Sequence, residues 1–498
     1  MTISLLWLND YLKTDLTPDQ LADALTSIGL EVEKTESWDS IMGGLSGIIA
    51  GHVLTCEHHP DADRLSMTTV DVGKESPASI VCGASNVAAG QKVWVALPGT
   101  TLYDANGKPW TISISKIRGA TSEGMICAED ELGLGKNHDG IMILPDAVHV
   151  GTKASEYYKV ISDTIFEIGL TPNRSDATSI LGVAEDLAAF LTVQGDKIHQ
   201  VKWPDINPVP DPQDLVEFRV SVGNTDACPR YSGIVISNIQ IGPSPDWMQQ
   251  RLQSIGVKTI NNVVDITNFI LHEMGQPLHA FDADKISGKE IIVETKPSGT
   301  PFLALDGLTY TLYHEDLMIC DGQGSPMCIG GVYGGLNSGV SNDTKTVFLE
   351  AAHFNAGWVR RTSMRHNLRT EAARRFEKGS DPNITVKALA RAAQLLSELA
   401  GGTVASGIYD IYPKPILPAQ VMLHFATLNA KTGVSFRSEE IMKIVRALNM
   451  EVIEKGDHKV LLSIPTNKAD VTSEIDVIEE ILRIYGFSNI PLPGKMNT

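Results

Sequence analysis

The central domain is organised around residues 328–350, which read CIGGVYGGLNSGV (328–340), SNDTKT (341–346) and VFLE (347–350). Closely spaced glycines indicate positive φ angles or a backbone that something approaches closely, so a ligand could lie against this bare main chain. Glu350 ends an otherwise apolar strand, and an inward carboxylate there would select a hydroxyl-bearing ligand. The alternative is a glycine-rich turn beside a surface glutamate, and this segment taken alone favours it.

Length and composition predict several domains with packed cores. The chain has 498 residues, more than a single core usually organises. Hydrophobic residues make up 43% and charged residues 20%. The formal net charge of -19 argues against tight, non-specific binding of nucleic acid over the whole surface. A local basic patch remains compatible with this charge.

The six cysteines are scattered and form no Cys-x-x-Cys pair, so neither a zinc ribbon nor a redox motif is present. Reduced thiols are the default for a cytosolic protein. The N-terminus lacks the basic start of a signal peptide, and no apolar run is long enough to span a bilayer. We therefore predict a cytoplasmic protein.

Local signals divide the chain into a multidomain α+β fold. Thr17 to Gln20 form a helix-capping box with Pro18 at the first helical position. Short strands follow between residues 45 and 144, the last of them predicted over Thr111–Ile117, and indicate an inserted β-barrel of the oligonucleotide-binding (OB) type. Proline clusters mark later boundaries. We predict an α/β module (1–42 and 150–200), the OB-type barrel (43–149), a central mixed α/β domain (213–405) and a small winged or α+β C-terminal domain (410–490).

Two features of the central domain could carry function. His279 follows a proline and precedes a small residue and an aromatic, a setting in which a histidine is more often structural than catalytic. Further on, a short run of this acidic protein contains six arginines: Arg360, Arg361, Arg365, Arg369, Arg374 and Arg375. They could bind phosphates, or they could form a solvated helix face paired with Glu371 and Glu377. The sequence leaves both alternatives open.

The last predicted helix, from about Ser473 to Tyr485, carries an acidic face. Asp476, Glu479 and Glu480 share one side at spacings of three and four, where like charges repel. Arg483, four residues after Glu479, could compensate them, or a hard cation such as Mg²⁺ could bind them together with Asp470 from the preceding turn. Physical reasoning from the sequence alone favours the arginine.

The usual nucleotide-binding loops are absent, and so are a Gly-x-Ser-x-Gly elbow and a His-Glu-x-x-His zinc motif. Any catalysis by this chain therefore uses neither a strong nucleophile motif nor a zinc motif. The order of the segments nevertheless resembles one family, the bacterial phenylalanyl-tRNA synthetase β subunits. The matching segments are Trp7-Leu8, Leu25–Glu33, His59–Asp63, Gly119–Cys127, Leu170–Arg174, Asn261–Asn268, Gly275–Asp282, Gly330–Val340, Leu368–Pro382 and Asp476–Ile490.

The resemblance implies a tRNA-binding barrel, a central editing domain and a small domain near a catalytic α subunit, with which full-length members form an α2β2 heterotetramer. In that family the α subunit activates phenylalanine with ATP and charges tRNA(Phe), while the β subunit removes tyrosine wrongly attached to the tRNA. By its match to the family motif, Glu350 would accept the tyrosine phenol, and Gly334 would let the aminoacyl group lie close. Thr267, Asn268 and His279 would line the pocket, with Thr370 and Ala372 on its other side.

The resemblance also implies a magnesium ion, shared with the α subunit, at Asp470, Asp476, Glu479 and Glu480. Three departures accompany it. Arg369 to Ala373 read RTEAA where the family usually has RTDAS, and Asn467 to Ala469 read NKA where the family usually has Trp-Arg-Phe. The chain also stops at Thr498, whereas full-length members continue with a catalytic-like and an anticodon-binding domain, so we expect a truncated chain. The alternatives are a natural short editing factor and a non-catalytic tRNA-binding or assembly module.

Overall fold

The computed structural model describes residues 1–104, 106–212 and 214–490. Gln213, with which the predicted central domain begins, lies outside the described residues. The chain divides into two compact units, Met1–Thr35 with Ile165–Thr498, and Glu36–Thr164. Within the described ranges, no helix has the length and apolar character needed to cross a bilayer.

The N-terminal elements begin at the capping residues that the sequence indicates. The Ser4 hydroxyl accepts a hydrogen bond from the Trp7 N–H, and Thr17 and Gln20 bond each other's backbone N–H groups as predicted. Each side chain satisfies a donor that the first helical turn leaves free. The elements are β1 (Thr2–Ser4), α1 (Leu5–Tyr11), α2 (Pro18–Ser27) and β2 (Glu31–Asp39).

The unit of residues 36–164 consists mainly of short strands. They are β3 (Ile48–His58), β4 (Ser66–Asp71), β5 (Ala78–Cys82), β6 (Lys92–Ala96), β7 (Thr101–Tyr103), β8 (Pro109–Thr111), β9 (Ser115–Ile117), β10 (Ala120–Ser122), β11 (Met125–Ile126) and β12 (Ile143–Leu144), with helix α3 (Ala154–Tyr157). The main sheet has the order β11-β6-β3-β4-β5, and β12 also pairs with β6. The prediction of one strand over Thr111–Ile117 is wrong, because β8 pairs with β7 whereas β9 pairs with β10.

The larger unit resumes with β13 (Ser162–Gly169), which pairs antiparallel with β1, and α4 (Ile180–Gln194). A 3-10 turn at Ser175–Ala177 precedes the helix, and Ser179 is its N-cap. Leu181, Ala184 and Leu187, spaced to lie on one face of the helix, are buried in the main core.

The central region contains two five-stranded sheets, one two-stranded sheet and five α-helices. Its elements are β14 (Arg219–Val222), β15 (Arg230–Ser237), α5 (Asp246–Ser254), α6 (Asn262–Met274), β16 (Leu278–Asp282), β17 (Glu290–Thr295), β18 (Pro301–Leu303), β19 (Thr309–Thr311), β20 (Leu317–Asp321), β21 (Pro326–Ile329), β22 (Tyr333–Gly334), β23 (Val347–His353), α7 (Ala356–His366), α8 (Glu371–Lys378), α9 (Thr385–Ala400), β24 (Thr403–Val404) and β25 (Tyr409–Ile411). One five-stranded sheet has the order β14-β17-β20-β21-β22, and the other has the order β16-β23-β15-β24 with β25 also paired to β15. The two-stranded sheet is formed by β18 and β19.

Strand β23 separates two cores. Val347 and Leu349 belong to the core that also contains residues of α6 and α9. Phe348 and Ala352 belong to the core that is shared with the sheet of β20 and β21. Because successive side chains of a strand point to opposite faces, Glu350 shares the face of Phe348 and Ala352. The sheet therefore directs this carboxylate into the interior.

The C-terminal region packs three helices with one small sheet. Its elements are β26 (Ala419–His424), α10 (Phe425–Thr432), α11 (Ser438–Ala447), β27 (Glu451–Lys455), β28 (Lys459–Ile464) and α12 (Glu474–Tyr485), and the sheet order is β26-β28-β27. Helix α9, which precedes this region, begins at Thr385. Before it, the Asp381 carboxylate accepts hydrogen bonds from the Asn383 N–H and the Thr466 hydroxyl.

Candidate functional site

His279 and Glu350 lie directly opposite each other on neighbouring strands. Strand β16 pairs antiparallel with β23, and His279 is the register partner of Glu350. Directly opposed residues in an antiparallel pair project from the same face of the sheet, with their Cβ atoms about 5 Å apart. The structure therefore brings together two residues that lie far apart in the sequence.

The Glu350 carboxylate is buried and accepts a hydrogen bond from one phenol. Only 4% of the residue's surface is exposed, and the Tyr231 hydroxyl lies 2.7 Å from Oε2. Burial raises the pKa of Glu350 to about 7, although the bond from Tyr231 opposes part of that rise. Near neutral pH the group can therefore be either a carboxylate or a neutral carboxyl.

His279 has a ring nitrogen without a partner. Its Nε2 is buried and has no hydrogen-bond partner among the described residues, and its ring meets Phe281 edge to face with centroids 4.4 Å apart. Burial lowers the pKa of His279 to about 4, so the imidazole is neutral at physiological pH. A buried polar atom without a partner is costly, and here it provides a hydrogen-bonding position for a ligand or a water.

Gly334 lies against His279. A Cβ atom at Gly334 would lie 2.8 Å from His279 Cε1 and 2.9 Å from Leu305 Cδ1. In this structure the protein's own side chains therefore approach the bare backbone that the sequence suggested for a ligand. The neighbouring Gly331 has a φ of +71°, and a Cβ there would meet Phe354 at 2.8 Å. Both glycines are required by the packing around them.

Thr370 connects the helix α8 terminus to the glycine-rich segment. Its Oγ1 accepts a hydrogen bond from the Ala373 N–H and donates one to the Val332 carbonyl at 2.8 Å. Ala372 is half-buried and packs against the core that contains Phe348. Of the two residues predicted for the far side of the pocket, Thr370 is thus hydrogen-bonded to the segment that contains Gly334.

Thr267 and Asn268 lie on helix α6, which packs beside strand β16. The Thr267 hydroxyl donates to the Val264 carbonyl within its own helix, and Asn268 is half-buried. Neither residue is hydrogen-bonded to His279, Glu350 or Gly334. Their predicted contribution to the pocket lining stays a prediction.

Sequence reasoning missed Tyr231. It is fully buried and lies 119 residues before its partner Glu350 in the chain. Spacing alone could not relate the two residues, because the pairing of β15 with β23 places them together. The available signal was a tyrosine within an apolar strand, since a buried phenol usually requires a hydrogen-bond partner.

The arginine run is largely paired. Arg365 bonds Asp316 and, at 3.2 Å, Glu315. Arg374 and Arg375 bond Glu371 at 3.0 and 2.8 Å, as one of the sequence alternatives expects, whereas the described structure gives Glu377 no ion pair. Arg360 and Arg369 are exposed, and they have no ion-pair partner among the residues described. These two are the members of the run that remain open for phosphate contacts.

The acidic residues at the C-terminal end do not converge. Asp476 Oδ2 accepts hydrogen bonds from the Ser473 and Thr472 N–H groups at the start of α12. Glu479 and Asp470 are exposed. Both Glu480 oxygens are bonded by Arg483, and Oε2 also accepts from Lys468 at 2.8 Å. Arg483 therefore compensates the acidic face, as reasoning from the sequence favours, but its partner is Glu480 and not the exposed Glu479.

This arrangement does not fit a magnesium ion held by the four carboxylates. The described part of the chain contains no group of three or more His, Cys, Asp or Glu residues placed to hold a metal. Burial alone would raise the pKa of Glu480, but Lys468 and Arg483 keep it well below its usual range. A cation at Glu480 would have to displace these two positive side chains. The magnesium site stays a prediction.

Comparison with known proteins places this geometry in context. Three family models match the chain: a tRNA binding domain at residues 48–153, a B3/4 domain at 227–401 and a tRNA synthetase B5 domain at 421–487. The predicted multidomain α+β fold, with its OB-like barrel and small C-terminal domain, is confirmed.

The similarity to individual proteins extends over the whole chain. The chain is 49% identical over 496 residues to the phenylalanine–tRNA ligase β subunit of Porphyromonas gingivalis, and 48% identical over 498 residues to that of Bacteroides fragilis. The alignments cover 99% and 100% of this chain, which spans about 60% of the length of these curated relatives. A solved N-terminal fragment of the phenylalanyl-tRNA synthetase β subunit from Pyrococcus horikoshii aligns with 65% of this chain and 87% of that chain, at 17% identity and a TM-score of 0.35.

Proposed function

Because the chain belongs to the family of phenylalanine–tRNA ligase β subunits, we propose that it binds tRNA(Phe) and hydrolyses tyrosine wrongly esterified to it. In this proposal a partner α subunit activates phenylalanine with ATP and charges the tRNA. The present chain contributes the tRNA-binding barrel and an editing pocket in the central domain. The reaction belongs to cytoplasmic protein synthesis.

The opposed pair of His279 and Glu350 carries this proposal. It combines a hydrogen-bond acceptor for a phenol with an imidazole nitrogen that lacks a partner, on one face of one sheet. A mostly apolar pocket at the aminoacylation site rejects an added hydroxyl by only about a hundredfold, whereas a site that must bond the hydroxyl discriminates by about ten-thousandfold or more. A second site containing Glu350 would therefore supply the selectivity that the aminoacylation site lacks.

In the proposed reaction the phenol of the tyrosyl group donates a hydrogen bond to Glu350. Neutral His279 offers Nε2 to a water beside the ester carbonyl, and the terminal hydroxyl of the tRNA helps to orient that water. Water attacks the carbonyl carbon, the ester C–O bond breaks, and tyrosine and free tRNA leave. Positioning alone can supply much of the rate enhancement, and an activated ester requires less assistance than an amide.

Entry of the aminoacyl group requires a local rearrangement. Leu305 Cδ1 and His279 Cε1 both lie where a Gly334 side chain would be. Leu305 is 46% exposed and follows strand β18, so it can turn toward solvent without exposing a core residue. Thr370 and Ala372 would then border the opened space on the side of helix α8.

The magnesium ion that the family resemblance predicts takes no part in this reaction scheme, because Glu480 is already paired with Lys468 and Arg483.

Assembly with an α subunit is part of the proposal. Native mass spectrometry of this chain mixed with α subunit tests it, and an αβ species is the supporting result.

A non-catalytic tRNA-binding or assembly module is the second candidate function. The match of residues 48–153 to a tRNA binding domain favours it, since binding requires no opening at Gly334. The two candidates differ in one measurement, the release of tyrosine from Tyr-tRNA(Phe) by this chain without other proteins. Turnover supports the editing hydrolase, and tRNA binding without turnover supports the module.

A further inference from the structure

Tyr231 is the sole described residue that donates a hydrogen bond to the Glu350 side chain. Strand β15 places Gly233 directly opposite Glu350. A Cβ at Gly233 would lie 2.4 Å from Phe348 Cζ, so this position has no room for a side chain of its own. Tyr231, two residues earlier on the same face, reaches the carboxylate diagonally across the strands.

The surroundings of this pair are uncharged. Among the described residues Glu350 has no ion-pair partner. Burial raises the pKa of each of the Cys228 and Cys328 thiols well above its ordinary value, so both thiols are neutral. Burial also raises the pKa of Tyr231, so its phenol stays a hydrogen-bond donor. The orientation of the Glu350 carboxylate therefore depends on one phenolic hydroxyl.

The two carboxylate oxygens of Glu350 therefore differ in their hydrogen bonding. Oε2 accepts the Tyr231 hydroxyl at 2.7 Å, while Oε1 accepts no hydrogen bond from the residues that the structure describes. A carboxylate has lone pairs for several donors, so Oε1 can accept a second phenol. A bound ligand without a hydroxyl would cover Oε1 without offering it a hydrogen bond, which is the cost on which strong discrimination rests.

We propose that Tyr231 is the positioning residue for tyrosine specificity: its phenol holds one Glu350 oxygen so that the other faces the phenol of the tyrosyl ester. This inference rests on the editing function proposed above. Tyr231 touches neither the ester nor the water, so its removal lowers the preference for tyrosine over phenylalanine and leaves the hydrolytic step intact.

The test uses the 498-residue chain and its Tyr231→Phe variant, with Tyr409→Phe as the matched control. The Tyr409 hydroxyl donates no hydrogen bond to Glu350. It accepts a hydrogen bond of 2.9 Å from the Phe218 N–H in the same core. For Tyr231→Phe we expect the preference for Tyr-tRNA(Phe) over Phe-tRNA(Phe) to fall about tenfold or more, through KM, with kcat within about twofold. An unchanged preference, or an equal loss in Tyr409→Phe, overturns the proposal.

A second measurement does not depend on turnover. Calorimetric binding of free L-tyrosine and L-phenylalanine, with infrared titration of the Glu350 carboxyl, is performed on both proteins. We expect Tyr231→Phe to lose selective tyrosine binding and to titrate Glu350 at higher pH, because the bond from Tyr231 lowers that pKa. If neither quantity changes in Tyr231→Phe, the role of Tyr231 is contradicted. If both quantities change but the wild-type chain does not hydrolyse Tyr-tRNA(Phe), only the editing function is contradicted.

A double-mutant cycle of Tyr231→Phe and Glu350→Gln tests whether the two residues act through each other. The cycle compares the two single variants and the double variant with wild type. Non-additive effects on selective binding of L-tyrosine support the proposal. Additive effects overturn it.

Discussion

Arg483 and Asp186 form a buried bidentate pair across 297 residues of sequence. Arg483 Nη1 and Nη2 lie 2.7 and 2.9 Å from the two Asp186 oxygens. The same aspartate bonds Arg174, and Lys468 connects Asp176 with Glu480. Three positive and three negative side chains thus neutralise one another between helix α4 and helix α12.

Replacing Arg483 by Met is expected to destabilise the protein strongly. The substitution leaves Asp186 and Glu480 with fewer positive partners in a buried place, and breaking a buried ion pair on one side costs about 3–5 kcal/mol. Urea unfolding measures the change in free energy of unfolding. Arg437→Met is the control, since Arg437 is exposed and pairs with only Glu440 in the described part of the chain, and no measurable loss is expected there. A loss in Arg483→Met as small as in the control would refute the role of this network.

Replacing Gly334 by Ala is expected to impair editing. Its Cβ would lie 2.8 Å from His279 Cε1, so the imidazole must shift, and a displacement of about 1 Å can cost about a hundredfold in rate. The matched control is Gly339→Ala, whose Cβ would make its nearest contact at 3.7 Å. Tyrosine release by both variants is compared with wild type. Equal activity of all three proteins would show that His279 need not stay in place.

The Glu350 carboxyl predicts a pH dependence of stability. Its pKa is raised from 4.5 to about 7 on folding, so the folded state binds more protons than the unfolded state between these values. The contribution of Glu350 to stability is therefore fully present below about pH 4.5 and is lost as the pH rises through about 7. Relative to Glu350→Gln, wild type is expected to lose on the order of 3 kcal/mol of free energy of unfolding over this pH range.

Urea unfolding of wild type and Glu350→Gln at a series of pH values measures this difference. As the pH rises, the free energy of unfolding of Glu350→Gln is expected to increase relative to that of wild type. A difference that does not vary with pH would show that Glu350 does not titrate in this range.

The same pKa predicts how discrimination varies with pH. An ionised carboxylate accepts a phenolic hydrogen bond more strongly than a neutral carboxyl does. The preference for tyrosyl over phenylalanyl ester is therefore expected to increase as the pH rises through about 7. His279, whose pKa is lowered to about 4, stays neutral over this range. The ratio of kcat/KM for the two esters, measured against pH, checks the direction, and a falling ratio would contradict it.

Part of this structure could be predicted from local sequence. The capping box at Thr17 follows from short-range chemistry. The direction of Glu350 does not, because residues 328–350 taken alone favour a surface glutamate, whereas Glu350 is buried. The opposition of His279 and Glu350 depends on strand register, which no spacing encodes. Tyr231 was missed for the same reason.

The acidic face of α12 shows another limit of sequence reasoning. Glu480 and Arg483 are three residues apart, but Lys468 and Asp186, which complete their environment, come from elsewhere in the chain. Helical spacing gave three acidic neighbours on one side. It could not show that Glu480 is buried among cations while Glu479 is exposed.

The editing site is tested by the release of tyrosine from Tyr-tRNA(Phe) by wild type, Glu350→Ala and His279→Ala. We expect turnover by wild type, a large loss of tyrosine selectivity in Glu350→Ala, and a slower hydrolytic step in His279→Ala. Release rates in both variants equal to wild type would contradict the assignment of the editing site to this pair.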